Sequence, residues 1–176
     1  MRSKWELNLE QGEWFEENVT RPWILKNRPG CWLTDSRNHR RYGGRGPRLV
    51  RGDAEMVLPD FRLDDPGTGK SSWLDSKVKM RPFTIRDCPG ERFYSLDPRA
   101  YLSYTQLMEI FHLMPFEVLL GCAYTNLLWL LDLRETIPVM HEFNNEHVRN
   151  GASLTPCFST AQMRMVGRWR GDDLPR

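Results

Sequence analysis

The residues with the clearest chemical potential lie in "LPDFRLDDPGTGKSSWLDSKVKM", residues 58–80. Asp60 follows a proline, and Asp75 and Lys77 stand two apart in an alternating apolar segment. Side chains two apart on a strand point to the same face, about 7 Å apart, so Asp75 and Lys77 are neighbours. Asp60 joins them if the two halves of the stretch pair as a hairpin. Burying charges costs several kcal/mol unless something compensates them, so this grouping implies an ion-pair cluster or a metal site. Crowded carboxylates repel, which raises a pKa unless a cation relieves the repulsion. Oxygen donors of this kind suit Mg²⁺ or Mn²⁺, which tolerate few protein ligands and keep several waters. A lysine beside such an ion can orient or help deprotonate a water and offset charge on a phosphate. The parts suit metal-assisted hydrolysis of a phosphodiester.

Several elements must form to position these groups. Alternation in "AEMVLPDFRL" (54–63) predicts one strand, with Met56, Leu58 and Asp60 on one face and Val57, Phe61 and Leu63 on the other. "DDPGTGK" has turn chemistry, with Asp64 and Asp65 read as turn formers, and should lead into a second strand in "SSWLDSKVKM". There Trp73, Asp75, Lys77 and Lys79 share a face opposite Leu74, Ser76, Val78 and Met80. Upstream, a helix is predicted from about Glu10 to Arg21, stopping before Pro22 because proline disfavours helix at the preceding residue. Gly12, Phe15, Glu16 and Val19 fall on one face of it, so Glu16 should turn inward while Glu13 and Glu17 point away.

"CWLTDS" (31–36) reads as a short strand, and residues 81–97 as irregular. A second helix is predicted over 98–113, capped by Asp97 with Pro98 in its first turn, or by Ser103 and Gln106 one turn later. Tyr104, Leu107, Ile110, Phe111 and Met114 form its apolar face. "FEVLLGCAYTNLLWLLDL" (116–133) contains Glu117, Asn126 and Asp132, which favours two buried strands around a Tyr-Thr-Asn turn over a membrane span. The order helix, three strands, helix, two strands predicts an α/β, or α+β, sheet with helices against it.

A chain of 176 residues, 40% hydrophobic and 27% charged, is expected to be one soluble domain rather than a disordered segment. A formal charge of +2 names no partner by itself. Its distribution is more telling: residues 37–51, "RNHRRYGGRGPRLVR", hold six arginines and no acid. Arg37, Arg40, Arg41, Arg45, Arg48 and Arg51 are the expected phosphate contacts of an Arg- and Gly-rich loop, with Lys79 a further candidate; a solvated loop is the plainer alternative. The four cysteines are far apart with no CxxC pair, and "MRSKWELNLEQGEW" has no apolar core, so a reducing compartment and no signal peptide are expected. His141 and His147 have no third ligand at recognisable spacing, Asp53 and Glu55 open a strand, and the seven tryptophans follow no repeat and default to core packing.

"PD", fourteen residues, then "DSK" resembles the PD-(D/E)XK nuclease superfamily, with Pro59-Asp60 and Asp75-Ser76-Lys77 in the motif positions. "GEWFE" (12–16) resembles the Gly-x-x-x-Glu of the first helix in Holliday-junction resolvases and related phage or bacterial members. The helix at 98–113 followed by "PFEVLLGCAY" resembles the helix and strand that complete that core, so the likeness spans roughly residues 10–133. One departure is Asp75, where many members have Glu.

The resemblance implies a restriction-endonuclease-like αβββαβ core, a mixed central sheet with flanking helices, placed over residues 1–135; residues 136–176 lie outside the likeness as a polar C-terminal extension with no assignable pattern. It implies that Asp60 and Asp75 bind Mg²⁺ (Mn²⁺ substituting), with the Ser76 carbonyl as a further ligand. Lys77 then serves the nucleophilic water, and Glu16 completes the acidic cluster as a further metal ligand. The implied activity is a metal-dependent DNA endonuclease acting on branched or recombination and repair DNA, in the cytoplasm of a bacterial cell or a phage-infected host. DNA is the expected partner, no membrane is, and a homodimer is left open. The alternatives are a sequence-specific restriction-type nuclease and a non-catalytic nucleic-acid-binding protein on the same fold.

Overall fold

A capping box starts the first helix: the Ser3 hydroxyl accepts from the Glu6 N–H, and the Glu6 carboxylate accepts from the Ser3 N–H at 2.7 Å. In the computed structural model, which describes residues 3–36, 48–51, 54–143 and 154–175, helix α1 (Lys4–Phe15) therefore begins six residues before the expected Glu10. It also does not stop at Pro22. Glu16–Thr20 forms a π-helical turn, in which the Arg21 N–H reaches back to the Glu16 carbonyl, and α2 (Arg21–Asn27) follows directly. Pro22 falls in the first turn of α2, where a missing N–H costs little.

Eleven strands follow among the described residues: β1 (Trp32–Asp35), β2 (Arg48–Arg51), β3 (Ala54–Val57), β4 (Phe61–Asp65), β5 (Lys70–Lys79), β6 (Phe93–Ser95), β7 (Phe116–Cys122), β8 (Leu127–Asp132), β9 (Val139–Glu142), β10 (Leu154–Ser159) and β11 (Arg164–Arg168). Helix α3 (Pro98–Ile110) lies between β6 and β7, and the Asp97 carboxylate caps it by accepting from the N–H groups of Arg99 and Ala100. The central sheet has the order β1-β4-β5-β7-β8-β11. Its neighbours are antiparallel except β5 and β7, which α3 joins as a parallel pair. The protein is thus a mixed α/β fold on a mixed central sheet. Strands β6, β10 and β9 form a second sheet, and β2 and β3 a two-stranded ribbon.

The predicted hairpin forms: β4 and β5 pair from Phe61↔Leu74 to Asp65↔Lys70, and the Asp65 carboxylate accepts from the Gly67 N–H and the Thr68 hydroxyl. Asp64 is held by Arg62 and Ser71, so both aspartates are engaged within the hairpin itself. The expected single strand over 54–63 is instead two. The chain leaves β3 at Val57, bends at Leu58–Asp60 and enters β4. Met56 packs in the α3 layer and Phe61 under α2, so this segment must cross from one face of the sheet to the other.

Alternation in β5 and β7 fills both layers. Trp73, Phe116, Val118 and Leu120 pack toward α3 with Tyr104 and Leu107. Leu74 and Leu119 pack toward α2 with Ile24, and Phe15, Val19, Leu128 and Trp169 continue that layer. Ile110, expected on the apolar face of α3, is exposed, as is Trp32, 75% exposed on edge strand β1. Glu117 is buried under α2, where one Arg28 nitrogen donates to both its carboxylate oxygens at 3.0 Å. Burial raises the Glu117 pKa and Arg28 opposes the rise. No helix among the described residues is long and apolar enough to cross a membrane.

Gly121 of β7 sits directly under the Phe15 ring, so a Cβ there would collide with Cε2 and Cζ of a ring that is itself fully buried. Gly121→Ala is expected to destabilise by about 1–3 kcal/mol through overpacking. For a domain of this size that lowers Tm by about 2–4 °C per kcal/mol. A thermal melt unchanged in this variant would show that the α1–β7 contact is looser than described.

Candidate active site

Strand β4 stops pairing with β5 at Phe61↔Leu74, while β5 continues alongside β7 to Lys79. This leaves a gap beside residues 75–77, and the expected site residues meet there. The Asp60 carboxylate takes over from the missing strand by accepting the Ser76 N–H at 2.8 Å. Asp75 and Lys77 project from the α3 face of β5, and their side chains touch at 2.6 Å between Oδ2 and Nζ. Lys77 Nζ also donates to the Ser76 carbonyl at 3.1 Å and lies 3.9 Å from Asp60 Oδ2. Asp60 and Glu16 are each 8% exposed and Asp75 1%.

Glu16 arrives from the other layer. The π-helical turn widens the helix at the point where it passes the gap, burying Glu16, Val19 and Thr20 and leaving Glu17 exposed. The Thr20 and Ser76 hydroxyls meet at 2.6 Å and fasten this turn to β5. Glu13 is half-buried, so the expected contrast with the inward Glu16 is sharper for Glu17.

The electrostatics follow from burial. Desolvation pushes the Asp60 carboxyl well above its ordinary range, the charges of Asp75 and Glu16 push it further, and Lys77 pulls it back. Burial alone would lower the Lys77 pKa, but the adjacent carboxylates, led by Asp75, raise it well above the usual lysine value. Lys79 is half-buried, and desolvation followed by the charge of Lys77 lowers its pKa.

Two groups at this site escaped the sequence reading. Burial and then the charge of Asp75 raise the pKa of Tyr104, which faces the site from α3, well above the phenol range. Tyr104 read only as a member of an apolar stripe, because its spacing on α3 is that of a core residue. Thr20 gave no signal at all, since its role depends on the π-helical turn.

Two carboxylates and one main-chain carbonyl are a donor set that Mg²⁺ accepts, because it completes its octahedron with waters. The Asp75 carboxylate is 1% exposed and faces Lys77 and Tyr104, so a cation is the counter-charge its burial calls for. The Lys77 ammonium now holds that place, touching the Asp75 carboxylate and the Ser76 carbonyl. Among the described residues no three His, Cys, Asp or Glu side chains gather closely enough to hold an ion between them. Glu16 therefore acts on Asp60 through charge in this arrangement.

Of the expected phosphate contacts, Arg37, Arg40, Arg41 and Arg45 lie outside the described residues, as do Asp53 and His147. Arg48 begins β2 and pairs with Glu55 at 3.4 Å; Arg51 ends that strand. His141 is on β9 against the Phe143 ring, away from the acidic pair. No family model, no curated protein and no solved structure matches the chain.

Proposed function

We propose that this protein is a metal-dependent deoxyribonuclease of the PD-(D/E)XK type, hydrolysing phosphodiester bonds in the gap between β4 and β5. One observation carries the reading: the fold collects Asp60, Asp75, Lys77 and the Ser76 carbonyl at one point and brings Glu16 to it from a separate helix. The proposed restriction-endonuclease-like core is supported by the order of helix, β1, β4, β5, α3 and β7 with β5 and β7 parallel. Asp60, Asp75 and the Ser76 carbonyl would hold Mg²⁺, or Mn²⁺ in its place, and the ion would polarise the scissile phosphate and acidify a water. Lys77 would orient that water or offset charge on the phosphate. Branched DNA and recombination or repair intermediates are the proposed substrates, in a bacterial cell or a phage-infected host.

The test is incubation with duplex, single-stranded and four-way-junction DNA, with Mg²⁺ and with EDTA. Cleavage that requires the metal supports the reading, and preference for one DNA form assigns the substrate. Intact DNA in every arm would leave the second reading, a non-catalytic nucleic-acid-binding protein on the same fold. What favours that one is the Lys77 ammonium, which already supplies Asp75 with a counter-charge without a metal.

Glu16→Gln should slow cleavage by about tenfold, because it removes charge near Asp60 without removing a ligand. Glu17→Gln and Glu13→Gln should stay near wild type. Measured rates that single out Glu17 instead would remove the π-helical turn from the site.

A further inference from the structure

On the α3 side of the central sheet, past the end of β5, lies a cavity of about 720 Å³, within the range of small-molecule sites. Arg81, Arg92, Phe83, Tyr124 and Trp129 are among its walls, together with Thr84, Thr125 and Thr160. None of the described residues lining it is acidic. Arg81 and Arg92 are exposed and form no ion pair with any described residue, so both are available to an anion. The Tyr124 ring is 80% exposed at the rim, on the tight β7–β8 turn that Asn126 closes with φ +57°. A second cavity of about 410 Å³ shares Arg81 and Tyr124 as walls, so a chain-like ligand could pass from one to the other.

Position links the cavity to the acidic pair. Asp75, Lys77 and Lys79 share one face of β5, and Arg81 follows two residues later. At about 3.3 Å per residue, Lys79 lies roughly 13 Å from Asp75 with Lys77 between them, and Arg81 stands beyond the bend at Met80. The step between side chains two apart, about 6.6 Å, is comparable with successive phosphates of an extended nucleic-acid strand.

We propose that this cavity is a nucleotide subsite for single-stranded nucleic acid, with Arg81 and Arg92 on phosphate and Tyr124 stacked on a base. Aromatic faces accept any base, so the subsite holds the strand without reading its sequence. It rests on the nuclease reading only for the direction of the strand, which runs from the cavity along Arg81, Lys79 and Lys77 to the acidic pair.

The test is fluorescence anisotropy of a short labelled oligothymidylate, with the full chain in EDTA so that no cleavage intervenes. Arg81→Ala/Arg92→Ala should weaken binding at least tenfold. It should also flatten the log-affinity against log-salt slope by about 1.4, two phosphate contacts at about 0.7 each on a single strand. Arg164→Ala/Arg170→Ala, an exposed pair of equal charge, should bind within twofold of wild type. Tyr124→Ala should weaken the oligothymidylate several-fold but leave an abasic oligomer of the same length unaffected. The subsite is overturned if wild type fails to bind the oligomer, or if the Arg81/Arg92 variant binds like the Arg164/Arg170 control. Arginine-dependent binding without Mg²⁺-dependent cleavage would retain the subsite and reject the nuclease, whereas cleavage with arginine-independent binding would do the reverse.

Discussion

Asp75→Asn is expected to abolish Mg²⁺-dependent cleavage, with a loss on the order of 10³-fold, while DNA binding in EDTA stays within a few-fold of wild type. The carboxylate is 1% exposed and its Oδ2 lies 2.6 Å from the Lys77 ammonium, so its buried charge is held by a cation. Losing a metal ligand removes several kcal/mol of transition-state stabilisation, each 1.36 kcal/mol being tenfold in rate. Asn keeps the shape, so the fold should be retained, with a lower Tm because the Lys77 ammonium loses its nearest counter-charge. Asp60→Asn should fail in the same way but respond differently to pH. The raised pKa of Asp60 means that the folded state holds its proton at pH values where the unfolded chain has released it. Stability from that group is therefore full below the ordinary carboxylate value and is lost as pH rises through the raised one. Asp60→Asn removes that loss, so its Tm should exceed wild type more at neutral than at acid pH. Wild-type cleavage by either variant would end the two-carboxylate assignment, and a pH-independent Tm difference would end the burial argument for Asp60.

Lys77→Met should lower turnover by about 10²-fold or more, the usual scale for a group that manages a proton or its charge in the transition state. Its second effect comes from where the ammonium sits. Lys77 Nζ lies 2.6 Å from Asp75 Oδ2 and 3.1 Å from the Ser76 carbonyl, the oxygens proposed for the metal. A divalent ion and this ammonium cannot occupy one place, so lysine must yield when metal binds. Removing it should tighten Mg²⁺ binding by about tenfold, read by calorimetry without DNA. In EDTA the variant should be destabilised by about 3 kcal/mol, since Asp75 is left buried without its counter-charge. Mg²⁺ should then raise its Tm more than that of wild type. Weaker Mg²⁺ binding by Lys77→Met would show that lysine assists the metal site instead of competing with it.

Local chemistry alone determined much of the frame. Asp65 and Gly67 make the β4–β5 turn, Asp97 and Pro98 start α3, and Asn126 takes the positive φ that closes β7 onto β8. The period of two in β5 put Asp75 and Lys77 on one face before any tertiary contact was known, because the pleat leaves no other choice. The inward face of Glu16 was legible from the spacing of Phe15 and Val19.

Long-range contacts decided the rest. Pro22 reads as a helix stop, yet the chain passes it through a π-helical turn held by Phe15 on Gly121 and Thr20 on Ser76, partners 106 and 56 residues away, respectively. Residues 54–63 read as one strand, but Met56 and Phe61 belong to opposite layers, and the crossing between them places Asp60 against the Ser76 N–H. The polar tail, with no assignable pattern, supplies β11 to the central sheet by pairing with β8. In each case the local signal was correct about the residue and silent about its partner. A backbone N–H left open by one strand can be filled only by a group that the whole fold delivers there.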